Sequence, residues 1–128
     1  MKMNIMSFED AFEKTRSTSS LDHDDNICIE ANEFFQHEDK IGFSGEPDAD
    51  SMIRHELLPK FKKLGIKAYV SNVTYFYDGD VKKLYSLSLI VKDITKSMIF
   101  EIFSQYPQPI SGGIDMEDQR FSYFNWDY

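Results

Sequence analysis

A chain of 128 residues with 15% aromatic content, including 11 Phe and 7 Tyr, is long enough for one hydrophobic core and too aromatic to remain disordered. Its single cysteine, Cys28, excludes an intramolecular disulfide, and no apolar run approaches the roughly 18 residues of a membrane helix. A net charge of −8 disfavours direct binding of nucleic-acid phosphates and favours basic proteins as partners.

The charge is unevenly distributed. Between Asp22 and Asp50 stand ten acids and one base, Lys40, whereas residues 51–100 carry nine bases and four acids. A generic soluble surface does not require such a block. The opening residues contain no apolar stretch of signal-peptide type, so the expected compartment is the cytoplasm. The lone cysteine fits a reducing environment.

In chain order, Ser7 predicts a helix cap, with Asp10 three residues later and Phe8, Ala11 and Phe12 on one face. The polar stretch from Thr15 to Ser20 predicts its end. Ile27, Cys28, Ala31, Phe34 and Phe35 fall at helical spacing, which predicts a second helix with Glu30 and Glu33 turned to water. A short strand at 27–29 is the rival reading. Residues 42–50 read as a loop. A third helix is expected from Asp50 or Ser51, with Ile53, Leu57, Leu58, Phe61 and Leu64 inward. Pro59 is expected to kink it and Gly65 to stop it.

Residues 66–77 and 82–91 predict a hairpin, with Asp78-Gly79 as its turn. That loop places Ile66, Ala68, Val70 and Asn72 opposite Val91, Leu89, Leu87 and Tyr85, all on one apolar face. The second face, Tyr69 to Tyr77 against Leu84 to Ile90, is mixed and expected to be partly exposed. Thr95 predicts the cap of a fourth helix bearing Met98, Ile99, Ile102, Phe103 and Tyr106. A final aromatic strand is expected over 121–126, with a short strand near Ile114. The expected fold is α+β, one domain over 1–128: an antiparallel sheet built on a central hairpin, with helices on one face.

Catalytic chemistry finds little support. Asp22, Asp24, Asn26, Ile29 and Glu33 match a calcium-loop spacing, but Ile27 stands where the sharp turn needs Gly. His55-Glu56 opens like a zinc-protease motif, but Pro59 replaces the second His. Cys28 lies in the most acidic segment, which disfavours a reactive thiolate. No phosphate loop, dinucleotide fingerprint or nucleophile elbow is present. The expectation is a non-enzyme with no cofactor and no metal.

Carboxylates beside aromatic side chains suit a protein-binding surface, the rings giving affinity and the charge steering the encounter. The candidate partner-binding residues are Asp22, Asp24, Asp25, Glu30, Glu33, Glu46, Asp48 and Asp50, with Tyr75, Tyr77, Asp78, Asp80 and Trp126 as the aromatic and turn contribution. In size, α+β pattern, acidity over 22–50 and the Tyr75–Asp80 segment, the chain resembles immunity proteins of bacterial contact-dependent growth inhibition systems. The resemblance implies a cytoplasmic antitoxin that binds its cognate toxin domain, often an RNase or DNase; the acidity points to a basic nuclease acting on tRNA or other RNA, and neither direct nucleic acid nor membrane is an expected partner. The rival readings are an acidic adaptor that mimics nucleic acid for another basic protein, and a small metal-dependent hydrolase.

Overall fold

The computed structural model describes residues 3–17, 26–44, 47–92, 111–114 and 121–125. The predicted fourth helix lies outside them. The architecture is mixed α+β, with helices packed against strands. The described strands form two sheets where one was expected, and each sheet contains a parallel pair.

The chain opens with β1 (Met3–Ile5), an element the sequence reading missed. Helix α1 (Phe8–Ser17) follows and crosses back to β2 (Asn26–Glu30), which pairs parallel to β1. As predicted, the Ser7 hydroxyl accepts from the Asp10 N–H at 3.1 Å. The helix runs past its expected end because Thr15 is buried and donates its hydroxyl to the Ala11 carbonyl at 2.9 Å.

The predicted second helix is wrong over its first half. Residues 26–30 are strand β2, and only Ala31–Phe35 form helix α2. The physical reason is burial on both faces. Asn26, Ile27, Cys28 and Ile29 are all buried, so β2 lacks the alternation of a half-exposed strand. An unalternating strand followed by a single helical turn imitates a helical repeat.

Residues 36–44 continue through a 3₁₀ turn (Glu38–Lys40) into β3 (Ile41–Phe43), where a loop had been expected. Helix α3 (Pro47–Met52) starts earlier than predicted. It passes through a π turn (Ile53–Leu57) into α4 (Leu58–Leu64). Pro59 has no N–H, and its ring crowds the carbonyl four residues earlier. The backbone widens just ahead of it, with the Leu58 N–H reaching Ile53 five residues back. Met52, Ile53, Leu57, Leu58 and Phe61 are buried, whereas Leu64, expected inward, is exposed. Gly65 ends the helix in the left-handed region, at φ 72°.

The hairpin forms, in a different register and with a bend. Strands β4 (Ala68–Ser71) and β7 (Ser88–Lys92) pair in the six-stranded sheet, ordered β1-β2-β4-β7-β9-β8. Strands β5 (Thr74–Asp78) and β6 (Val81–Ser86) pair in a three-stranded sheet, ordered β3-β6-β5. The turn residues are Gly79 and Asp80, because Asp78 already pairs with Val81. Gly79 has φ 64°, so Gly takes the positive-φ first position of a two-residue turn.

Ala68 therefore faces Val91, Val70 faces Leu89 and Thr74 faces Tyr85, a shift of two residues from the predicted register. An even shift preserves the side each residue points to. Ala68, Val70, Leu89 and Val91 accordingly share one buried face.

Between its two halves the hairpin exchanges its inward face. Ala68 and Val70 are buried before the bend, and Val73 follows at an odd position after it. On the return strand Leu84 precedes the bend, and Leu89 and Val91 follow it. Asn72 supplies the bend at φ 51°. Three serines fill the crossing, where ladder bonds are interrupted. Ser71 Oγ and Ser88 Oγ lie 2.7 Å apart, Ser88 Oγ donates to Ser71 O at 3.1 Å, and Ser86 Oγ donates to that same carbonyl. The Ser86 hydroxyl also accepts from the Ser88 N–H at 3.2 Å. Asn26 Oδ1 takes the Asn72 N–H at 2.7 Å, and Ile27 O takes the Val73 N–H at 3.0 Å. The second face is partly exposed, as expected: Tyr77 is exposed and Tyr69 and Tyr75 are half-buried, while Ser71, Val73, Leu84, Ser86, Ser88 and Ile90 lie inside.

Strands β8 (Ser111–Ile114) and β9 (Phe121–Asn125) complete the larger sheet. Phe124 opposes Leu89 and joins the core.

Candidate functional site

The acidic residues between 22 and 50 divide into distinct groups. Asp22, Asp24, Asp25 and Glu46 lie outside the described residues. Asp48 falls within α3, and its side chain lies outside them as well.

Glu30 and Glu33, expected to face water, instead serve the backbone. The Glu30 carboxylate accepts from the Glu33 N–H at 2.9 Å and from the Asn32 side chain at 3.0 Å, capping α2 where it leaves β2. Glu33 reaches across to α1 and accepts the Phe8 N–H at 2.7 Å. A helix N-terminus presents unpaired N–H groups and positive potential, so a carboxylate is favoured there. His37 stacks flat on the Phe8 ring, with centroids 3.8 Å apart. Of the calcium-like spacing, Asn26 and Glu33 thus each direct one side-chain oxygen to a backbone N–H group.

Asp50 is half-buried and pairs with Arg54 at 3.2 Å, one helical turn on. Arg54 also meets Glu38 at 2.9 Å, and its guanidinium lies 5.5 Å from the Phe35 ring centroid. These contacts join the 3₁₀ turn to the long helix. They employ Asp50 in the fold.

Cys28 is buried, and burial pushes its thiol up to about 12. Desolvation of the thiolate is the first cause of its inertness, where the sequence reading had named the acidic neighbours. His55, the start of the zinc-like motif, is exposed in the π turn. Among the described residues, no three His, Cys, Asp or Glu side chains gather as a metal site.

The hairpin tip is a different kind of place. Tyr75 and Tyr77 lie on the inward face of β5, with rings edge to face at 6.0 Å. Tyr75 packs against the core, while Tyr77 is 60% exposed. Lys82 crosses this face, donating to the Phe12 carbonyl at 2.6 Å with its ammonium 4.5 Å from the Phe12 centroid and 5.3 Å from that of Tyr75. Asp78 is exposed and pairs with Lys83 at 3.1 Å. Asp80 is exposed in the turn, and Val81 beyond it is 52% exposed. Thus Tyr77, Asp78, Asp80 and Val81 are all exposed at one hairpin turn, with Tyr77 on the face opposite Asp78 and Val81. Trp126 lies outside the described residues.

The outward face of the three-stranded sheet holds a feature the sequence reading missed. Phe76 and Tyr85 stand edge to face at 5.9 Å over Gly42 of β3. A methyl group on Gly42 would lie 3.3 Å from the Phe76 ring and 3.4 Å from that of Tyr85. With Phe43 they line an open apolar groove of about 390 Å³. The signal was hidden because Gly42 was read as loop, which left these rings without a strand beside them. No family model, curated protein or solved structure matches this chain.

Proposed function

We propose that this chain is an immunity protein: a binding inhibitor without catalytic activity that blocks a basic toxin domain in the cytoplasm. The favoured target is a nuclease acting on tRNA or other RNA, because an RNA-binding cleft must be basic. The observation that carries this reading is the hairpin tip. At the tip, exposed Val81 stands opposite Asp78 on one face and exposed Tyr77 on the other, with Asp80 in the turn between them, on a chain of net charge −8. Apolar anchors rimmed by charge are the composition of a binding hot spot, and the acidic field speeds encounter with a basic target. Among the described candidates, Glu30, Glu33 and Asp50 have fold-serving roles, which favours this tip.

The test begins with the gene immediately upstream, where such a system encodes its toxin. The C-terminal domain of that product is co-purified with this chain and assayed on tRNA. A 1:1 complex, loss of cleavage, and binding that weakens as salt rises are the expected results. An upstream gene without a toxin, or a toxin domain left fully active, refutes the proposal.

A further inference from the structure

We infer that the groove over Gly42 receives an arginine side chain of the basic partner. This inference rests on the binding role proposed above and names the chemistry of one contact. The two faces of the β5–β6 hairpin make the argument by comparison. On the inward face, Phe12 and Tyr75 are bridged by a cation from this chain, Lys82. On the outward face, Phe76 and Tyr85 form a similar ring pair, and among the described residues no cation lies over either. Lys83 opposes Phe76 directly across the ladder, but its ammonium is drawn to Asp78.

Charge complementarity selects the occupant. Asp78 shares the outward face with Phe76, two residues further along β5, or about 7 Å, but Lys83 already meets its charge, so the carboxylate left for a partner is that of Asp80. Asp80 follows in the turn, exposed and without an ion pair among the described residues. The lining itself, Gly42, Phe43, Phe76 and Tyr85, carries no charge. An arginine combines what this surface offers to bind: an apolar stem for the groove, a planar cation for the rings, and donors for the acidic rim. Gly42 keeps the floor open, since a Cβ there would press on the Phe76 ring and touch that of Tyr85.

The experiment titrates N-acetyl-arginine amide into the isotope-labelled protein and follows backbone amide signals, with N-acetyl-norleucine amide as the uncharged stem. Arginine is expected to shift Gly42, Phe76 and Tyr85 selectively and to bind more tightly than norleucine. Phe76→Leu keeps the apolar volume and removes the ring. It should weaken arginine about two- to fivefold and leave norleucine unchanged. Asp80→Asn, at an exposed position, should weaken arginine by a similar factor. Arginine shifts scattered over other acidic surfaces, equal binding of norleucine, or an unaffected Phe76→Leu variant overturns the inference. The groove and the inhibitor role fail separately. A toxin blocked equally well by the wild type and by Phe76→Leu keeps the immunity reading and removes the groove. Selective arginine binding with no inhibited toxin does the reverse.

Discussion

Replacing Glu33 separates a structural carboxylate from a partner-facing one. Its side chain accepts the Phe8 N–H at 2.7 Å, at the first turn of α1, and is half-buried. A hydrogen bond to a charged group contributes about 1.5–3 kcal/mol, and a carboxylate at a helix N-terminus about 0.3–1 kcal/mol of dipole interaction. Partial exposure pulls the sum toward the lower end. We expect Glu33→Ala to cost about 2 kcal/mol, and Glu33→Gln about 1 kcal/mol because the amide oxygen still accepts. For a domain of this size, 2 kcal/mol lowers Tm by about 6–10 °C. Urea denaturation followed by circular dichroism measures the change, with exposed Asp39→Asn as a control expected to stay within about 0.5 kcal/mol of wild type. If Glu33→Ala proves as stable as that control, the carboxylate does not hold α1, and the assignment of Glu33 to the fold is wrong.

Three further substitutions probe the interior. The Cys28 thiol is raised from 9.0 to about 12 by burial, so its contribution is complete below pH 9 and is lost as pH rises from 9 toward 12. The free energy of unfolding measured against pH should fall more steeply over that window for wild type than for Cys28→Ala; parallel curves refute it. Ser86→Ala strips a donor from the Ser71 carbonyl and an acceptor from the Ser88 N–H, and should cost about 1–3 kcal/mol. Ser71→Ala should cost less, because Ser88 keeps its bond to the Ser71 carbonyl. Equal losses in chemical denaturation argue against the bonding scheme.

The hairpin was legible because Gly79 and the β-branched and aromatic runs around it are local signals. Its register moved by two residues, which pairing chemistry tolerates because an even shift keeps Ala68, Val70, Leu89 and Val91 on one side. The Ser7 and Gly65 caps were legible for the same reason: each depends on a single residue and its near neighbours. Strand β2 was not, because burial on both faces erases the alternation that marks a strand. The division into two sheets was hidden too. It depends on Asn72 adopting positive φ and on serines 71, 86 and 88 bonding across it, and nothing in a polar residue's identity announces which distant backbone group it will meet. The site suffered from the same blindness. Glu33 looked free because Phe8, its partner, lies 25 positions away. Phe76 and Tyr85 looked unremarkable until β3 placed Gly42 beneath them.

The hairpin that changes faces has a mechanical consequence. Its two strands are the central pair of the larger sheet at one end and two of the three strands of the smaller sheet at the other. Peeling β5 and β6 away pulls directly on β4 and β7, through continuous backbone and through the serine junction. The two sheets therefore cannot come apart in sequence, as layers joined by a slack loop would. They should lose amide protection together, in one cooperative opening, and a force applied at the exposed tip is felt in the middle of the larger sheet. A partner that grips the tip thereby also steadies the core.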